Sequence, residues 1–195
     1  SDMARLAEVH LDAVDNAIEL LEEVLMVAPS RVEAVHELQR LLETTEAWEA
    51  LVESYERELR IGVADARALE LHKQLGRTLQ ARLDEAFRAM GHWEQARALA
   101  AEDEEVLNAL RQLYRDGFNF EKLVDVLRAK LATGHYDEAG QLGLWRELAE
   151  LFTESINTPP EAIDAWEHVL GLSEADESAI EALEILYRQE QRWAK

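Results

Sequence analysis

The sequence predicts an all-α chain, a solenoid of stacked antiparallel helical hairpins, and three observations carry that expectation. Ala, Leu, Glu and Arg dominate, while only 3 prolines and 8 glycines are spread over 195 residues, which is the composition of helix. No run of alternating Val, Ile, Thr and aromatics bounded by turn residues is present, so strands are not expected. The chain also repeats itself. "EAVHELQRLLETTEAWEALVESYEREL" from Glu33 lies over "VLNALRQLYRDGFNFEKLVDVLRAKL" from Val106, so that Leu38 meets Leu110, Leu41 meets Leu113, Leu42 meets Tyr114, Trp48 meets Phe120 and Leu51 meets Leu123. A third copy places Leu183, Leu186, Tyr187 and Trp193 in the same slots. The segments between also align, with Leu71, Leu75, Leu79 and Leu83 over Leu144, Leu148, Phe152 and Ile156. A unit of roughly 73 residues holding two hairpins therefore recurs.

Within each helix the apolar residues fall three and four apart, giving one buried stripe that a neighbouring helix must cover. First helices are expected at 3–14, 32–44, 65–83, 103–116, 137–155 and 176–189, and second helices at 16–27, 47–60, 85–101, 119–132 and 160–172. The whole chain reads as one array, with hairpins at about 3–28, 32–60, 65–101, 103–132 and 137–172 and an unpaired helix at 176–190. Asp65, Asp103, Asp137 and Asp176 stand where a short carboxylate can accept the free amide hydrogens of a first turn. In "NTPPEA", Pro159 restrains Thr158 and Pro160 suits a first helical turn. "SDM" at the start reads as a cloning remnant and Trp193 as the opening of a further helix, so a piece of a longer array is expected.

The half-unit of about 34 to 38 residues resembles the tetratricopeptide repeat (TPR) family. Ala17, Leu21, Val24 and Pro29 have the spacing with which the family's second helix ends, followed by Val35, Leu38, Leu42, Trp48, Leu51 and Tyr55, and Ala162, Trp166 and Val169 form a second good match. The chain departs from the family where glycine would precede the aromatic, at Glu46 and Phe118, and where later hairpins lack the closing proline. The resemblance implies a right-handed superhelix whose first helices line a concave groove, and a non-enzymatic scaffold for protein–protein interaction that holds a peptide segment or a helix of a partner there. Self-assembly of a larger multi-repeat protein is the alternative.

Composition narrows the partners. Asp and Glu number 41 against 20 Lys and Arg, a formal charge of −21, and that field repels nucleic acid. The apolar stretches are too short and too often charged to span a membrane, and no leader is visible, so the cytoplasm is the expected compartment. The absence of cysteine removes thiolate chemistry. None of the 6 histidines forms a ligand pair at helical spacing, no phosphate-cradling loop or nucleophile elbow is present, and paired carboxylates cluster at helix starts. No catalysis, metal or cofactor is expected.

In the family the groove-facing residues lie two before, two after and five after each anchor leucine. Around Leu38 these are His36, Arg40 and Glu43, and around Leu75 they are Lys73, Arg77 and Gln80. Leu110 gives Asn108, Gln112 and Arg115, Leu148 gives Arg146, Glu150 and Thr153, and Leu183 gives Glu181, Ile185 and Arg188. Basic residues outnumber acidic ones among them, against the balance of the chain. His36, Arg40, Lys73, Arg77, Asn108, Gln112, Arg115 and Arg146 are therefore the candidate groove residues for an acidic or carboxylate-bearing peptide, because charged donors on adjacent helices can converge on one carboxylate. The N-terminal helix, aligned on Leu6, would add Ala4, Glu8 and Leu11.

Two hexapeptides, "GHWEQA" from Gly91 and "GHYDEA" from Gly134, resemble one another. The long period puts the first inside a helix and the second between hairpins; the rival register puts the turn of the third hairpin near Gly91 rather than Leu83. Core packing is expected for Trp48, Trp145, Trp166 and Trp193, whereas Trp93 is the candidate exposed anchor for a partner.

Overall fold

The computed structural model describes residues 2–190, with side-chain surroundings from Ala13 onward. Trp193 and the groove positions Ala4, Glu8 and Leu11 thus lie outside what is described. Among the described residues ten α-helices follow one another: α1 (Asp2–Val27), α2 (Val32–Thr44), α3 (Trp48–Ile61), α4 (Asp65–Ala81), α5 (Ala86–Leu99), α6 (Glu104–Asp116), α7 (Phe120–Ala132), α8 (Glu138–Glu150), α9 (Pro159–Leu172) and α10 (Glu177–Gln189). Among the described residues there is no strand. The fold is an all-α helical repeat in which successive helices pack on one another, α1 to α5 in one unit (residues 1–100) and α6 to α10 in a second (residues 101–195). The anchor leucines Leu38, Leu75, Leu110, Leu148 and Leu183 are all buried, as the apolar stripes require.

The turns inside the hairpins show why the period is double. Glu46, Asp84, Phe118 and Asn157 each take a left-handed backbone, with φ of 55°, 55°, 54° and 56°. After α2 and α6 the chain closes a Schellman turn: Ala47 N donates to Leu42 O at 2.9 Å and Asn119 N to Tyr114 O at 2.8 Å. After α4 and α8 the corresponding bonds span one residue more, from Glu85 N to Leu79 O at 2.8 Å and from Thr158 N to Phe152 O at 3.0 Å. The lost glycines at Glu46 and Phe118 therefore leave the turn conformation intact, at the roughly 1–2 kcal/mol that a side chain costs there. Gly117 stands one residue too early to relieve Phe118, with an ordinary φ of −85°.

Caps fix most of the starts. Asp103, Asp137 and Asp176 accept from Val106 N, Gly140 N and Ala179 N at 3.1, 2.8 and 2.9 Å, and Asn119 accepts from Lys122 N at 3.4 Å. Asp65 does not cap: it is the first residue of α4, and Ala64 holds the cap position without a side-chain bond.

Two other expectations are corrected, and the register of the third hairpin follows the long period. Residues 3–28 form no hairpin but one continuous helix, α1, because Asp15 and Asn16 interrupt a strong helix former only weakly and no glycine or proline forces a break. The third hairpin turns at residues 82–85, so Gly91 lies within α5 and nothing is near its missing Cβ. Gly134, by contrast, ends its connection with φ of 67°; the two hexapeptides are alike in letters only. Trp93, finally, is no exposed anchor, since it is 2% exposed against α4. A Cβ on Gly76 would lie 2.4 Å from its ring, so only glycine lets the two helices approach this closely.

Candidate functional site

Several of the positions expected in a groove line concavities in the second unit. Arg115 of α6 and Arg146 and Glu150 of α8 border a cavity of about 440 Å³, together with Arg111, Glu147 and Glu154. A second cavity of about 440 Å³ runs along α10, lined by Glu150, Thr153, Glu181 and Ile185, with Glu154 and Asn157. The two share Glu150 and Glu154. The last turn of α8 widens into a π turn at Leu151–Ser155, a local expansion of the helix that sets Glu154 between the cavities.

The electrostatics of this groove differ from a free cationic strip. Arg111 and Arg115, one helical turn apart, both donate to Glu147, and Arg146 donates to Asp176. Each arginine thus reaches the groove already joined to a carboxylate. The Asp176 carboxyl is held below its ordinary value by the backbone N–H of Ala179 and then by Arg146. Asn108 accepts from Lys130, whose ammonium is buried and lies 5.0 Å from the Tyr136 ring, and Gln112 donates to Asp116 at 3.0 Å. Neither of these lines the cavities.

In the first unit a smaller cavity, about 310 Å³, is lined by Glu43 and Arg77 of the expected groove, with Trp48, Tyr55, Gln74 and Arg82. The Arg82 guanidinium lies over the Trp48 ring at 4.8 Å. Burial, and next the charge of Glu43, push the Tyr55 hydroxyl up to about 12, so it stays a donor. Gln74 Oε1 is buried there without a hydrogen-bond partner. Arg77 pairs with Glu70 at 3.6 Å, Arg40 with Glu37 at 2.6 Å on open surface, and His36 is exposed. Lys73 is half-buried on α4.

Spacing rules missed Arg111, Glu147, Glu154 and Gln74. Arg111 follows its anchor leucine directly, outside the positions counted; its four-residue spacing from Arg115 is the signal that two guanidiniums can meet one carboxylate. Sequence also missed a pairing across helices in the first unit. His72 Nδ1 of α4 and His92 Nδ1 of α5 stand 3.1 Å apart, and Glu56 Oε1 of α3 lies 3.8 Å from His92 Nε2. Burial lowers both histidines below their ordinary range, with His92 adding to the effect on His72, so both rings are neutral at pH 7 and one hydrogen joins them.

Among the described residues no group of three or more His, Asp or Glu side chains is placed to hold a metal ion, and no helix is long and apolar enough to cross a membrane. No protein-family model and no curated protein matches the sequence. Solved structures do resemble it. YrrB, described as a TPR protein with an unusual peptide-binding site, superposes with a TM-score of 0.51 at 15% identity over 93% of this chain and 88% of its own. A tetratricopeptide repeat protein from Parabacteroides merdae gives 0.52 at 14% identity over 94% and 70%. The C-terminal part of a TPR repeat-containing protein from Cytophaga hutchinsonii gives 0.51 at 13% identity over 85% and 65%. At these identities the likeness is one of fold.

Proposed function

For a chain with the tetratricopeptide-type helical repeat fold, we propose a role as a non-enzymatic interaction scaffold, with the groove of the second unit taking an extended segment of another protein. The observation that carries this reading is the pair of adjoining cavities. They lie along consecutive first helices, are lined in part by residues expected from the anchor spacing, Arg115, Arg146, Glu150, Thr153, Glu181 and Ile185, and change character along their length. At one end Arg111 and Arg115 share the single carboxylate of Glu147, which leaves cationic capacity for an acidic side chain or a terminal carboxylate. At the other end Ile185 is 48% exposed and offers an apolar contact.

Selection from a random dodecapeptide display library against the unaltered chain tests this. Selected peptides should lose at least tenfold in affinity to Arg115→Glu and to Ile185→Glu, and carry an acidic residue on the side facing Arg115. A library that yields no binder, or binders indifferent to both substitutions, would sink the groove. Self-assembly instead finds its support in Met26, Val27 and Val32, large apolar side chains left exposed around the α1–α2 turn. A mass that rises with concentration in light scattering separates it from peptide capture.

A further inference from the structure

We propose that His72 and His92 form a binding site for a divalent transition metal of the imidazole-preferring class, Zn²⁺, Ni²⁺ or Cu²⁺, with both rings ligating through Nδ1. The two nitrogens come from different helices, α4 and α5, and stand 3.1 Å apart. Two imidazole nitrogens each about 2.1 Å from one ion have this separation when the angle at the ion is a little over 90°. The rings lie 5.3 Å apart between centroids and are tilted by 37°, so they face one another across a single hydrogen. Rotation about the soft outer torsion of each ring turns its Nδ1 toward a common point. The ring whose Nδ1 carries the hydrogen gives it up to solvent and takes a proton at its own Nε2, so that both rings ligate as neutral Nε2–H tautomers with the ion between them.

The surroundings suit such an ion. Glu56 lies on the side of the other nitrogen of His92, at 3.8 Å, from which a small shift would let its carboxylate accept that N–H and orient the ring. The charge of Arg88 also acts on His92, and its guanidinium is held by Glu85 at 2.5 Å and Glu56 at 2.9 Å. Among the described residues no third His, Asp or Glu joins the two nitrogens, and His92 is 19% exposed, so water completes the shell. A pair of nitrogens with no oxygen ligand selects Cu²⁺, Ni²⁺ and Zn²⁺ over Mg²⁺ and Ca²⁺. The ion would clip α4 to α5 at the level of Trp93.

Titration of the whole chain with Zn²⁺ against a chromophoric chelator at pH 7.5 tests the site. One equivalent is expected, weakened at least tenfold in His72→Asn and in His92→Asn and unchanged in His135→Asn, which removes a solitary histidine. Zn²⁺ should also raise the melting temperature of the unaltered chain but of neither variant. Cu²⁺ on the unaltered chain gives a readout that no variant can spoil, an electron paramagnetic resonance spectrum coupled to two imidazole nitrogens. No uptake of one equivalent, equal affinity in either Asn variant, or coupling to fewer than two nitrogens would overturn the proposal.

Discussion

Gly76 and Ala149 occupy the same slot of the double-hairpin repeat, as do the tryptophans that face them, Trp93 and Trp166. The two units solve this slot differently. In the first, the absence of a side chain at Gly76 lets the indole lie flat on α4, with the missing Cβ only 2.4 Å from it, and the buried indole N–H is left without a partner. In the second, the buried Ala149 stands in that slot, and Trp166 Nε1 donates to Thr153 Oγ1 at 3.0 Å. A similar divergence lies at the end of the preceding helix. Glu58 of α3 accepts from Arg67 at 2.7 Å and Gln39 at 2.8 Å, whereas its counterpart Lys130 of α7 donates to Asn108. The repeat specifies which positions are buried and leaves the partnering of their polar atoms to each copy.

The largest way to break this comparison is Gly76→Ala. It should cost about 2 kcal/mol in urea unfolding, because the added methyl has nowhere to go, and the added change Trp93→Phe should return part of the loss. Ala149→Gly, its mirror, should cost about 1 kcal/mol, through backbone freedom together with the loss of a buried methyl. Equal losses at both sites would mean that the two slots are packed alike. A smaller effect sharpens the difference in caps: Ala64→Asp gives α4 the carboxylate that α8 has in Asp137 and should add up to about 1 kcal/mol. Smaller still is an acid limb belonging to the second unit. The Asp176 carboxyl is held below its ordinary value of 3.8 by the N–H of Ala179 and by Arg146, so its contribution is present above that value and is lost as the pH falls through the lowered one. Melting curves between pH 5 and 2 should fall more steeply for the unaltered chain than for Asp176→Asn.

Helix positions were legible from sequence because their causes are local. The leucine stripes of α2, α4, α6 and α8 and the caps Asp103, Asp137 and Asp176 each act within a turn or two of the chain. The burial of Trp93 was not, because it depends on a glycine 17 positions earlier on another helix. The α1 break failed for the opposite reason: a weak local signal at Asp15 and Asn16 was read where no neighbouring element enforces it. The site divides the same way. Anchor spacing singled out Arg115, Arg146, Glu150 and Ile185, which line the two cavities, but it gave no sign that Glu147 would take two arginines or that Asn108 would be spent on Lys130. His72 and His92, 20 residues apart, show no pattern that a motif could register.

The alternating turns bear on how such a chain can grow. Hairpins that close after α2 and α6 use the shorter bond, and those that close after α4 and α8 use the longer. Duplication or loss of a segment of about 73 residues preserves the alternation, while a change of a single hairpin sets two like turns in succession. The chain therefore has a parity, and its natural unit of gain, loss or design is the pair of hairpins rather than the hairpin.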